Sequence, residues 1–185
     1  MNIQKKIRKI IALLGKAYGR PATFRRTEPV GELVRTILSQ NTTDKNSLKA
    51  FAILKKSFKS WDGLLQAPAR RIERLIRHAG LANIKAGRIK EALAEIKRRE
   101  GRVSLARLKR LGLQGANEYL RSLKGVGPKT AACVLLFSFG RPVMPVDTHI
   151  FRVTKRLGLI PKDLDIVVTK DFEKKIAEFF KQDKD

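Results

Sequence analysis

A chain of 185 residues with 43% apolar content is long enough for one compact unit or two small lobes, and too apolar for a disordered tail. Its 41 Lys and Arg against 17 Asp and Glu leave a formal charge of +24, too lopsided for a thermophile's balanced ion-pair surface. A polyanionic partner is expected, nucleic acid before an acidic membrane. The single cysteine excludes a disulfide framework and a four-thiolate metal site within the chain. With no membrane-spanning apolar run and no signal-peptide core, the expected location is cytoplasmic.

The periodicity is helical almost throughout, and the expected fold class is all-α. Ile3, Ile7, Ile10, Ile11, Leu14 and Tyr18 outline a first amphipathic helix, ended by Gly19-Arg-Pro21. A loop over 23–28 leads to a second helix at 29–40 with Val30, Leu33, Val34, Ile37 and Leu38 inward. Thr43 or Asp44 caps a third, whose face reads Leu48, Phe51, Ile53, Leu54 and Phe58. Ser60 caps a short turn that Pro68 ends, and a basic helical stretch then stops at Gly80. A helix over 84–100 and a shorter one over 104–111 follow. Gly112 and Gly115 interrupt, and 117–123 resumes. Pro128 opens a helix that Gly140 closes, in keeping with proline at the first helical position and glycine just past the last. Asp147 is placed to cap a helix over 148–157, Gly158 ends it, and a last helix is expected over 171–181.

The stretch Leu123-Lys-Gly-Val-Gly-Pro-Lys-Thr-Ala131 carries the most information. Gly125 and Gly127 permit a tight turn and close approach, and Val126 can point inward and lock it. Backbone N–H groups then face outward at a helix N-terminus, where a DNA phosphate fits without any base being read. An ordinary helix–helix turn would not demand this order of residues.

With that stretch in hand, the chain resembles the endonuclease III-like helix-hairpin-helix (HhH-GPD) DNA glycosylases. Leu123–Thr130 resembles their hairpin, and Pro145-Val-Asp-Thr-His-Ile-Phe-Arg-Val153 their Val-Asp-Thr-His segment. Leu38-Ser-Gln-Asn-Thr-Thr-Asp44 resembles the segment at the substrate edge, and Ala79-Gly-Leu-Ala-Asn-Ile-Lys-Ala86 their Gly-Leu-x-Asn-x-Lys-Ala loop. The four matches lie in the family's order.

The resemblance implies two lobes: a helical barrel over 24–139 that contains the hairpin at about 115–139, and a second lobe from 1–23 plus 140–185. It implies double-stranded DNA with a damaged or abasic nucleotide as partner, bound in a cleft between the lobes by a monomer associated with the nucleoid. It implies Lys129 as the nucleophile of a base-excision repair enzyme with AP lyase activity, acting on oxidised pyrimidines, and Asp147 as its acidic partner. An amine nucleophile reacts in its neutral form, which a helix N-terminus and nearby cations favour. A carboxylate can stabilise positive charge building at C1′ and help move a proton. The alternatives are a phosphate-binding role for Lys129 and a helix cap for Asp147. At the level of the whole chain they are a mismatch thymine or uracil glycosylase, or a non-catalytic DNA-binding fragment.

Further DNA contacts follow from the same resemblance. Leu81 matches the apolar wedge that fills the gap left by a flipped base, with a core leucine as the alternative. Gln40 and Asn41 match the polar segment at that gap, with either as the inserting residue, while Asp44 is the expected helix cap. Lys85, Arg88, Lys124, Gly125, Val126, Gly127 and Thr130 complete the expected contacts. The seven cations between Lys97 and Arg110 are expected to divide between phosphate contacts and a solvated face, Cys133 to be a buried thiol, and His78 and His149 to form no metal pair. Most relatives continue into a four-cysteine iron–sulfur loop. With Cys133 alone, no such cluster is expected, in a chain that is either naturally cluster-free or shortened at its C-terminus.

Overall fold

The computed structural model describes residues 3–19 and 26–161. Among them the regular structure is entirely helical. The helices are α1 (Ile3–Tyr18), α2 (Pro29–Ser39), α3 (Asp44–Ser57), α4 (Trp61–Gln66), α5 (Ala69–Ile76), α6 (Ala82–Glu100), α7 (Leu113–Arg121), α8 (Pro128–Phe139) and α9 (Thr148–Arg156). Short 3-10 turns occupy Arg77–Ala79 and Ala106–Lys109. The expected helix at 171–181 lies outside the described residues. The chain divides into a unit of residues 26–145 and a unit of 1–25 plus 146–185.

The larger unit is built around α8. Every side chain from Thr130 to Leu135 is buried, as an apolar helix enclosed on all sides requires. α2 and α7 pack against it, and α5 packs on α6. The face expected of α2 is the one observed: Val30, Leu33, Val34, Ile37 and Leu38 are at most 1% exposed. In α3 the register differs from expectation. Ser47, Ala50 and Leu54 are buried and Phe51 and Phe58 partly so, whereas Leu48 is half-exposed. Positions 47, 50, 51, 54 and 58 follow one helical stripe, and Leu48 points a quarter-turn away from it.

The caps explain the helix starts. Thr43 Oγ1 accepts from the Asn46 amide at 3.3 Å, so Thr43 is the cap of α3 and Asp44 its first residue rather than the expected cap. Ser60 Oγ accepts from the Gly63 amide at the start of α4. Glu28, expected in a loop, caps α2 with both oxygens, accepting from Val30 at 2.8 Å and Gly31 at 2.6 Å. Its Oε2 also accepts the Trp61 indole N–H at 2.8 Å, which ties α4 to the start of α2. Gly115 does not interrupt the chain: α7 begins at Leu113 and runs through it, and a single 3-10 turn replaces the helix expected over 104–111. Unit 26–145 extends past the expected limit of 139 because Arg141 donates to the carbonyls of Leu111 and Lys109, anchoring the residues after α8 to that unit.

In the smaller unit, Lys6 of α1 reaches the Gly158 carbonyl beyond α9, and Phe151, Leu159 and Ile160 are buried. No described residue of α1 is buried.

Candidate active site and nucleic-acid interface

The hairpin joins α7 to α8. Leu123 and Val126 are buried beneath it, and the Val126 amide closes the turn on the Leu123 carbonyl at 3.1 Å. Gly125 has φ +79°, a left-handed conformation that a side chain resists, and an added Cβ would lie 2.9 Å from Cγ and Cδ of Arg88. Gly127 differs. Its surroundings hold nothing within 4 Å of a Cβ, so the turn presents open space directly before α8. Gly127 has no side chain with which to cap α8, and the first amides of that helix stay available to an anion.

Lys129 is the second residue of α8 and half-buried, at the boundary between open turn and enclosed helix. One turn further along, burial pushes the Cys133 thiol up in pKa, and the Lys129 ammonium pulls it back. Glu32, 1% exposed, is held by Arg35 and Thr36 on the neighbouring α2. Thr130 is 4% exposed, so its side chain belongs to the core. Lys124 is exposed and paired with Glu91 at 2.8 Å. Several of the cations between Lys97 and Arg110 are likewise paired: Lys97 with Asp62, Arg98 and Arg99 with Glu95, and Arg107 with Glu100 at 3.7 Å.

The two segments expected at the DNA gap lie side by side. Asn41 (φ +50°) and Leu81 (φ +49°) are the non-glycine residues with positive φ among those described. Both are exposed, Leu81 at 48%, so Leu81 is not a core leucine. A Cβ on Gly80 would stand 3.8 Å from the Asn41 carbonyl, which places the two turns in contact. Such backbone costs on the order of 1 kcal/mol or more per residue and clusters where a structure needs a particular presentation.

Gln40 and Lys85 do not share that exposure. Gln40 Nε2 donates to the Gly125 carbonyl at 3.4 Å, and its Oε1 accepts from Arg88 Nη1 at 2.7 Å. Lys85, expected on DNA, is 1% exposed, and its ammonium donates to the carbonyls of Leu38 and Ala79, each at 2.7 Å. The Lys85 expectation is therefore corrected: the amine is spent inside the fold, where burial pushes its pKa down. The helical spacing of Lys85 with Ile89, Ala92 and Ile96 was the local signal that it faces inward, although its partner Leu38 lies 47 residues away.

Asp147 stands in the smaller unit as the cap of α9, half-buried, with Oδ1 accepting from the amides of His149 at 3.0 Å and Ile150 at 2.9 Å. The capping role considered from sequence is thus present in the structure. His149 Nδ1 pairs with Arg152 at 3.0 Å. No group of three or more His, Cys, Asp or Glu that could hold a metal ion occurs among the described residues. The single cysteine cannot supply the four thiolates of an iron–sulfur cluster.

The chain is similar to known proteins in sequence and in fold. The model of the HhH-GPD superfamily of base excision DNA repair proteins matches residues 34–178. An Arabidopsis thaliana protein provisionally named a DNA glycosylase is 46% identical over 133 residues, covering 72% of this chain and 45% of its own length. Endonuclease III of Sulfolobus acidocaldarius is 37% identical over 139 residues, covering 72% of this chain and 60% of its own. Among solved structures, a non-covalent endonuclease III–DNA complex superposes with a TM-score of 0.77 at 27% identity, over 97% of this chain and 78% of that one. The chain belongs to the HhH-GPD superfamily of base excision DNA repair proteins. It is an endonuclease III-like member that spans about half to three-fifths of the length of these curated relatives.

Proposed function

We propose that the chain is a bifunctional DNA glycosylase and AP lyase acting on duplex DNA, with oxidised pyrimidines as the preferred damaged bases. The observation that carries this reading is the position of Lys129. Lys129 is the second residue of α8, separated from the Gly125-Val-Gly127 turn by Pro128 alone, and is half-buried at the uncapped start of that helix. A duplex phosphate held by the turn brings the sugar chain close to that amine. The neutral amine attacks C1′, the bond to the base breaks, and the base leaves with the bonding electrons and gains a proton. Ring opening gives an iminium between Lys129 Nζ and C1′. Loss of a C2′ proton then expels the 3′ phosphate, and water releases the enzyme from the shortened sugar. Asp147 is the group proposed to offset charge at C1′ and to carry protons.

Asn41 and Leu81 are proposed to fill the gap left by the extruded nucleotide, supported by their exposure and shared left-handed backbone. Between Gln40 and Asn41, the structure favours Asn41, because the Gln40 amide is already engaged.

The test is borohydride trapping on a duplex with one abasic site. Wild type is expected to give a covalent adduct and Lys129→Ala none. Duplex binding without an adduct in wild type overturns the lyase assignment, leaving base excision without strand cleavage or a binding module. A panel of duplexes with oxidised pyrimidines, G·T and G·U then tests the substrate. Excision confined to the mismatches overturns the preference for oxidised pyrimidines.

A further inference from the structure

Gln40 joins three segments distant in sequence. It ends α2, its amide donates to the carbonyl of Gly125 in the hairpin, and its carbonyl accepts from Arg88 in the middle of α6. Arg88 completes the triangle, because its methylene carbons fill the space where a Cβ of Gly125 would stand. The next residue in the chain is Asn41, exposed and left-handed, against the Gly80–Leu81 turn. Asparagine adopts left-handed backbone readily, and here the side-chain bonds of Gln40 anchor the residue directly before it.

The choice of glutamine matters electrostatically. Lys124 on the same hairpin is matched by a carboxylate, Glu91. Arg88 is held instead by a neutral acceptor, so it is fixed in direction while keeping its full charge beside the turn.

From these contacts we infer that Gln40 and Arg88 are positioning residues for lesion recognition. They form a clamp that sets the Asn41 probe at a fixed offset from the hairpin, so that gripping the backbone and probing the gap occur together. The inference rests on the DNA glycosylase reading above. It predicts that the clamp governs discrimination between damaged and intact duplex more than affinity for DNA as such, which a residue with a merely structural role would not alter selectively.

The experiment measures dissociation constants of the full chain for two duplexes of equal length, one intact and one with a tetrahydrofuran abasic analogue. Thermal melting of each variant accompanies it. Gln40→Ala and Gln40→Met are expected to lower the preference for the abasic duplex about tenfold, the worth of one charge-assisted hydrogen bond. Affinity for the intact duplex should weaken less than about threefold. Arg88→Met should lower the preference by a similar factor, the double variant no further, and Arg88→Lys should restore part of it. Preference unchanged in both Gln40 variants overturns the clamp, as do losses at Gln40 and Arg88 that multiply. Equal weakening on both duplexes overturns it too, because Gln40 would then act on general DNA affinity. A wild type that binds neither duplex overturns the DNA reading itself, which separates that failure from failure of the clamp.

Discussion

The ammonium of Lys85 donates to the Leu38 carbonyl at 2.7 Å, and so ties the last turn of α2 to the segment before the Gly80–Leu81 turn, where its second bond ends on Ala79. Leu38 lies three residues before Asn41, and Ala79 two before Leu81. One buried amine therefore braces both strained turns from below.

Replacing Lys85 by Met keeps the volume and removes both bonds, leaving two carbonyls without this donor. The expected cost at neutral pH is about 2–3 kcal/mol, read as a lower midpoint in urea unfolding. Burial holds the Lys85 pKa below its ordinary 10.5. The unfolded chain then binds more protons than the folded one in the alkaline range, so wild type should gain stability relative to Lys85→Met as pH rises through the folded value towards 10.5. A difference independent of pH would count against a buried charge.

Asp147 caps α9 and is proposed to act at C1′, and a pair of variants can separate the two roles. Asp147→Asn keeps an oxygen for the amides of His149 and Ile150, so helix content and melting temperature should hold while strand cleavage falls about a hundredfold or more. Asp147→Ala removes the cap as well and should add a stability loss of about 1 kcal/mol. Equal cleavage in wild type and Asp147→Asn would leave only the cap.

The hairpin glycines should fail in different ways. Gly125→Ala forces a side chain into left-handed backbone and against Arg88, and should destabilise the unit by roughly 1–2 kcal/mol. Gly127→Ala meets open space at ordinary negative φ, so its melting temperature should match wild type. Its duplex affinity should nevertheless drop several-fold, since the added methyl would enter the open space proposed for the phosphate. Isothermal titration beside thermal melts distinguishes the two.

Glu28 ends three donors at once: two amides of α2 and the Trp61 indole. Glu28→Ala should cost about 1–2 kcal/mol and shift the emission of Trp61, the sole tryptophan, as its N–H is released to water. Glu28→Gln, which retains one acceptor oxygen, should lie between. An unchanged emission maximum in Glu28→Ala would dismiss the bond.

What could be read from the sequence divides along the range of the interaction. The inward face of α2, the inward Val126 and the capping position of Asp147 all follow from spacing within a few residues, and all are present. Leu48 was misassigned because periodicity fixes a stripe only to within a neighbouring position, and Ser47, polar but buried, occupies the place expected of it. Gly115 looked like a break because glycine weakens a helix, yet packing carries α7 through it. The long-range bonds of Glu28, Gln40 and Lys85 were out of reach for a different reason: their partners at Trp61, Gly125 and Leu38 lie 33, 85 and 47 residues away, although the cap on Val30 and Gly31 and the inward stripe that holds Lys85 are local. No local pattern announces such pairs.

Cys133, enclosed in α8 at 4% exposure with its pKa raised by burial, has a practical consequence. Thiol dyes react with accessible thiolates, and this thiol is neither accessible nor readily ionised. Because it is the chain's sole cysteine, Asn41→Cys or Leu81→Cys would create one addressable position without first stripping the protein of its own. A fluorophore attached there would report whether these turns meet DNA, with Cys133 enclosed and left unlabelled.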